Sequence, residues 1–225
     1  VRMGEDPNKI FKVGSTSFDA ISNLNIESLV GVSEYLSENG LGNVDLMKNK
    51  YLVVIQHPVT TEYGKNLKNI EETIEAIDKL CIPTVWIWPN MDAGSNAISK
   101  GIRVYRESIK PKHVCFIKSL SIEFYAPLLN NSACIIGNSS SGIREAGYLG
   151  VPSVNIGSRQ HGRSHCKNVI NVESMSKNII NAVRHQLQHG KYEECYMYGN
   201  GNASEKIIRA LVGNINMKLQ KINSY

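Results

Sequence analysis

Short runs of apolar, often β-branched residues recur along the chain at 10–13, 52–56, 84–88, 114–117, 134–137, 153–156 and 169–172. These runs predict strands. Leu52-Val53-Val54-Ile55 is apolar without alternation, which suits a strand covered on both faces of a parallel sheet. Between most runs the apolar spacing lengthens to that of a helix. Over 65–80, Leu67, Ile70, Ile74 and Ile77 fall on one face, with acids and lysines opposite. Ile179, Ile180, Val183 and Leu187 repeat the pattern over 174–188, and Ile208, Leu211, Ile215 and Leu219 over 203–220. Strands alternating with helices predict a doubly wound α/β domain. The first fifty residues are less regular: 18–24 reads as a helical turn and 37–43 as a loop. Residues 1–50 are therefore expected to be a connecting segment, and 51–225 the doubly wound domain.

With 42% hydrophobic and 20% charged residues among 225, the chain lies near the globular average, which excludes a disordered chain. No stretch of about 18 apolar residues exists, so no membrane-spanning helix is expected. The polar start is not expected to be a signal peptide, and a first residue of Val rather than Met reads as the interior of a longer chain. The net charge of +5 fits an anionic ligand. Lys and Arg are spread rather than clustered, which argues against nucleic acid. The five cysteines are Cys81, Cys115, Cys134, Cys166 and Cys195. They include no C-x-x-C pair, so neither a zinc site nor a disulfide framework is indicated. They are expected to be free thiols in a reducing cytoplasm.

In an open parallel sheet, ligands bind at the carboxyl ends of the strands. The predicted strands deliver His57-Pro58-Val59-Thr60-Thr61, Pro89-Asn90-Met91-Asp92-Ala93-Gly94-Ser95, Lys118-Ser119, Asn138-Ser139-Ser140-Ser141-Gly142 and Gly157-Ser158-Arg159-Gln160 to that edge. The sharpest signal is Gly137-Asn138-Ser139-Ser140-Ser141-Gly142-Ile143-Arg144-Glu145. There a strand ends and a helix is expected to start near Gly142, with small residues that let the backbone approach a phosphate. The same residues also serve as an ordinary N-cap cluster. No Gly-Lys-Ser/Thr closes a Walker loop, and G-x-G-x-x-G is absent, which argues against NAD. A nucleophile elbow centred on Ser140 fails because Asn138 stands where Gly is needed.

Arg159, His161, Arg163, His165 and Lys167 occupy every second position, so an extended segment would place them on one face. Arg159, nearest the strand end, is the candidate for charge-assisted bonds to phosphate. His165 and Lys167 read as solvated. Glu145 suits either a helix N-terminus or ribose hydroxyls. His57 can donate to phosphate or move a proton, and can equally serve the backbone.

Together with Arg2-Met3-Gly4-Glu5-Asp6-Pro7 and Asn155-Ile156-Gly157-Ser158-Arg159-Gln160, these motifs resemble the hydrolysing UDP-N-acetylglucosamine 2-epimerases of sialic-acid pathways. The resemblance runs over nearly the whole chain, in order. It implies the GT-B arrangement of two Rossmann-like domains, with this chain as the C-terminal, UDP-binding half. It implies conversion of UDP-N-acetylglucosamine and water to N-acetylmannosamine and UDP, through removal of the C2 proton as UDP leaves. Carried over by position, Ser139 and Ser140 hold the diphosphate, Glu145 the ribose, and Asn90 and Arg159 complete the UDP site. Backbone near Leu120 meets the uracil, and His57 stands near the diphosphate and the reacting sugar as the catalytic candidate. No cofactor or metal is implied, and a homo-oligomer is the usual state. The carboxylates that move the C2 proton belong to a missing N-terminal domain, so this chain alone is expected to bind UDP and turn over little. Two alternatives share the UDP site: a GT-B glycosyltransferase domain and a non-catalytic UDP-sugar-binding module.

Overall fold

The six apolar runs from residue 52 onward form one parallel sheet. The computed structural model describes residues 5–48, 50–62 and 64–213. The strands are β1 (Leu52–Ile55), β2 (Thr84–Ile87), β3 (Val114–Ile117), β4 (Cys134–Gly137), β5 (Ser153–Ile156) and β6 (Val169–Val172). They lie in the order β3-β2-β1-β4-β5-β6, each parallel to its neighbours. Every residue of β1 to β5 is buried, as the apolar runs without alternation require, and β5 buries the polar Ser153 and Asn155 as well. At one edge, only Val169 of β6 is buried. At the other, Leu41 and Phe116 exchange N–H···O bonds of 2.8 Å in an antiparallel bridge, which occupies groups that an open edge would expose.

The described helices are α1 (Thr16–Ser22), α2 (Val30–Asn39), α3 (Asn66–Leu80), α4 (Ser95–Val104), α5 (Ile122–Asn130), α6 (Glu145–Tyr148), α7 (Ser176–His189) and α8 (Ala203–Gly213). α3 buries Ile70, Ala76 and Ile77, with Leu67 and Ile74 packed at the margin. It lies against both α4 and α7. Trp86, Tyr105 and Phe116 bring their ring centroids within 6.1–6.3 Å of one another in the same core.

Three expectations are corrected. Residues 10–13 form no strand, and Ile10 and Phe11 are exposed, because none of the six strands pairs with this segment. Residues 37–39 are helical rather than looped. α2 buries Val32 and Leu36 one turn apart, a pattern too short to show a period among its polar neighbours. In α8, Ile208 and Leu211 are exposed rather than on a buried face, while Ile215 and Leu219 lie outside the described residues.

The chain divides into two compact units. One contains residues up to Asn23 and from Tyr198 onward, the other runs from Leu24 to Met197. In the first, α1 packs on α8, and the Asp19 carboxylate accepts the first N–H groups of that helix, from Ala203 at 2.9 Å and Ser204 at 2.6 Å. The second holds the whole sheet.

Candidate functional site

The strand order places a topological switch point between β1 and β4, where connections leave toward opposite edges and open a crevice. Gly137 ends β4 opposite Ile55, with φ of 131°. A Cβ there would lie 2.0 Å from the Ile55 carbonyl oxygen, so only glycine lets the two strand ends approach this closely. One residue beyond, Asn138 crosses the gap. Its Oδ1 accepts the His57 backbone N–H at 2.7 Å, and its Nδ2 donates to the His57 carbonyl at 2.8 Å. Both residues are buried, at 2% and 6% exposure.

The reciprocal pair is the hub of a wider network. The Asn138 carbonyl accepts Arg159 Nη1 at 3.2 Å and Gln160 Nε2 at 2.8 Å. His57 Nδ1 accepts the Asn90 backbone N–H at 3.1 Å. Arg159 Nη2 also stands 3.7 Å from Asp92. The ends of β1, β2, β4 and β5 are thereby linked. Burial, and then the positive charge of Arg159, pull the His57 imidazole down to about 4, against a smaller opposite pull from Asp92. The ring is neutral at pH 7, and with Nδ1 accepting it carries its proton on Nε2. It is a neutral hydrogen-bond donor rather than a cation.

Beyond Asn138, residues Ser140–Gly142 form a single 3₁₀ turn, and the Arg144 N–H bonds the Ser140 carbonyl at 2.9 Å. The helix expected near Gly142 starts instead at Glu145 and is one turn long. Ser139 Oγ accepts the Ser141 N–H at 3.3 Å. Tyr125 of α5 bonds the Ser141 hydroxyl, and burial raises its phenol well above the usual range. Ser139 and Ser140 remain partly exposed beside the hub, and Glu145 is buried with Arg144 Nη2 at 3.2 Å from its Oε1.

Not every expected residue joins the hub. Leu120, half-buried on the loop after β3, makes none of these bonds. Near that loop opens a cavity of about 990 Å³, lined by Trp88, Asn90, Arg106, Phe116, Lys118 and Ser119 among others. The alternating basic face is not formed, because tight bonds such as His161 N–H to Ser158 O at 2.8 Å fold 158–163 into turns. Arg159 is tucked toward Asn138, while His161, Arg163, His165 and Lys167 are exposed.

The network also depends on Asn138, Gln160 and Asp92, which lie within the motifs but whose residue types alone name no role. Among the described residues, no three His, Cys, Asp or Glu side chains could hold a metal ion, and no helix is long and apolar enough to cross a membrane. The expectation of five free thiols is corrected. Cys166 and Cys195 form a disulfide with Cα atoms 6.3 Å apart. The Cys195 N–H bonds the Gly147 carbonyl at 2.9 Å, which returns the segment after α7 to α6 beside Cys166. Wide spacing in sequence does not reveal that approach.

The family model described as UDP-N-acetylglucosamine 2-epimerase matches residues 1–212. The chain is 31% identical over 202 residues to the UDP-N-acetylglucosamine 2-epimerase of Neisseria meningitidis, covering 90% of this chain and 50% of that protein. It is 30% identical over 211 residues to a UDP-N,N'-diacetylbacillosamine 2-epimerase (hydrolyzing) of Legionella pneumophila, covering 94% and 53%. The chain thus spans about half the length of these relatives. The fold matches that of Methanocaldococcus jannaschii UDP-GlcNAc 2-epimerase, solved in complex with UDP-GlcNAc and UDP. The TM-score is 0.70 at 23% identity, over 94% of this chain and 57% of that one. The Rossmann-like α/β architecture expected from the sequence, of GT-B type, is the one found. The chain belongs to the UDP-N-acetylglucosamine 2-epimerase family.

Proposed function

We propose that this chain is the C-terminal, nucleotide-binding half of a hydrolysing UDP-N-acetylglucosamine 2-epimerase, which converts UDP-N-acetylglucosamine and water to N-acetylmannosamine and UDP. The observation that carries the reading is the hydrogen-bonded hub that gathers His57, Asn138 and Arg159 at the switch point, with Asn90 at its rim and the serine loop directly after Asn138. The ligands in the archaeal structure and the hydrolysing relative point the same way.

In this reading the diphosphate lies over the serine loop. Ser139 and Ser140 hydroxyls donate to its oxygens, and the Arg159 guanidinium offsets its charge. Neutral His57 donates from Nε2 toward the oxygen that bridges to the sugar, where negative charge grows as UDP departs. Asn90, whose N–H fixes the His57 tautomer, completes the UDP site with Arg159. Glu145 takes the ribose hydroxyls, and backbone near Leu120 meets the uracil beside the Lys118–Ser119 cavity. Proton transfer at C2 falls to the other half of the enzyme.

Calorimetry with UDP tests the site. Ser140→Ala and Arg159→Ala should each weaken binding by about 1–3 kcal/mol, or roughly 5- to 150-fold. Unchanged affinity in a folded variant removes that residue from the site. For the reaction, the full-length parent should release free N-acetylmannosamine from UDP-N-acetylglucosamine; transfer to an acceptor without epimerisation would assign a glycosyltransferase instead.

A further inference from the structure

Backbone bonds fold the loop around Arg159 into turns, and Gln160 is tied to the Asn138 carbonyl, but the Arg159 side chain itself is bonded only at its guanidinium tip. Gly157, which leads out of β5, has φ of 71° and nothing within 4 Å of where a Cβ would be. The guanidinium has one hydrogen bond to the Asn138 carbonyl and a looser approach to Asp92. The next residue back is held firmly. The Ser158 hydroxyl donates to Glu62 Oε1 across the crevice. Glu62 is anchored in turn, since its Oε2 accepts Asn69 Nδ2 of α3 at 3.0 Å. Its backbone N–H bonds the Val59 carbonyl at 3.0 Å, and its carbonyl accepts the Lys65 N–H at 3.1 Å. Asn69 belongs to the core-packed helix, and its carbonyl also accepts the Ser174 hydroxyl at 3.2 Å. The turn after β1, tied to α3 through Asn69, therefore contacts the residue adjoining Arg159. None of the ion pairs among the described residues involves Glu62, so both carboxylate oxygens serve this bridge.

We infer that Glu62 is a positioning residue: anchored to Asn69 of α3, it holds Ser158 and so aims the Arg159 guanidinium at the phosphates of a bound nucleoside diphosphate. The inference rests on the nucleotide-binding reading of the site. Glu62 touches no ligand itself. It acts by removing alternative conformations of the loop, which binding would otherwise have to freeze.

UDP titration of the intact chain, monitored by calorimetry and by amide chemical shifts up to millimolar UDP, tests it. Glu62→Ala and Ser158→Ala should each weaken UDP binding by about three- to ten-fold. Ser158→Ala leaves the Glu62–Asn69 bond in place, so it decides the matter if Glu62→Ala fails to fold. Glu62→Gln can keep both contacts, accepting from Asn69 and donating to Ser158, and should restore most of the affinity. In an Arg159→Ala background, Ser158→Ala and Glu62→Ala should have no further effect, because the group they aim is gone. Equal losses with and without Arg159, or unchanged affinity in the single variants, overturn the inference and leave the nucleotide site standing. A wild-type chain that does not bind UDP overturns both.

Discussion

Asn138→Ala isolates what the hub contributes to folding. The substitution leaves the 3.2 Å and 2.8 Å bonds from Arg159 and Gln160 possible, because both end on the Asn138 backbone carbonyl. What it removes is the reciprocal pair of 2.7 and 2.8 Å that satisfies the N–H and C=O of His57. Those groups belong to a residue only 6% exposed. Each buried backbone group left unpaired costs about 1–3 kcal/mol. The cavity below, bordered by Gln56, His57 and Asn138, is about 10 Å³ and holds at most one water. The space left by the amide could admit another, which places the expected loss at about 2–4 kcal/mol, a large share of a typical total stability of about 5–15 kcal/mol. Urea unfolding should show a lower midpoint at unchanged slope, and the His57 amide should lose protection from hydrogen exchange. UDP affinity should fall as well, since the backbone pinned by Asn138 orients the His57 ring. A loss below about 0.5 kcal/mol with the His57 amide still protected would refute the hub.

Two further outcomes follow from the same geometry. The unfolded His57 imidazole takes a proton near pH 6.5 and the folded one near 4, so the unfolded state binds more protons between those values. Stability is full above pH 6.5 and falls as pH drops toward 4, by about 2 kcal/mol once screening at the crevice mouth is allowed for. His57→Gln should remove that slope in urea midpoints compared at several pH values. A ring pKa above about 6 by NMR would contradict the buried neutral form. The Cys166–Cys195 disulfide spans 29 residues, for which loop closure predicts about 3–4 kcal/mol. Reduction should lower the unfolding midpoint of the wild type and leave Cys195→Ser unchanged. The unreduced, denatured chain should expose only the thiols of Cys81, Cys115 and Cys134; five alkylated cysteines would refute the bridge.

The strands β1 to β4 were legible because each is a four-residue block buried on every side and mostly apolar; β5 is as buried although Ser153 and Asn155 interrupt its apolar run, and β6, at the edge, buries only Val169. α3 and α7 were legible because each is long enough for its apolar residues to repeat at helical spacing over several turns. α2 was obscured by its length, with Val32 and Leu36 as its only buried residues. The 10–13 run misled because β-branched composition describes a residue's tolerance of extended backbone, not the presence of a partner strand.

The site divides along a similar line. Strand-end logic found the loops that carry His57, Asn90, Ser139, Ser140 and Arg159, since parallel topology sends every such loop to one edge. It could not rank residues within a loop. Asn138 is an ordinary turn residue until β1 and β4 become neighbours, which depends on strand order rather than on any local pattern. Once they adjoin, Gly137 must lack a side chain to let the strand ends approach, and the next residue must offer both a donor and an acceptor to the facing peptide. Asn meets that demand with a short side chain, whereas Ser reaches too little and Asp lacks the donor. The residue most diagnostic of the switch point is therefore the one whose meaning depends wholly on contacts 81 positions away.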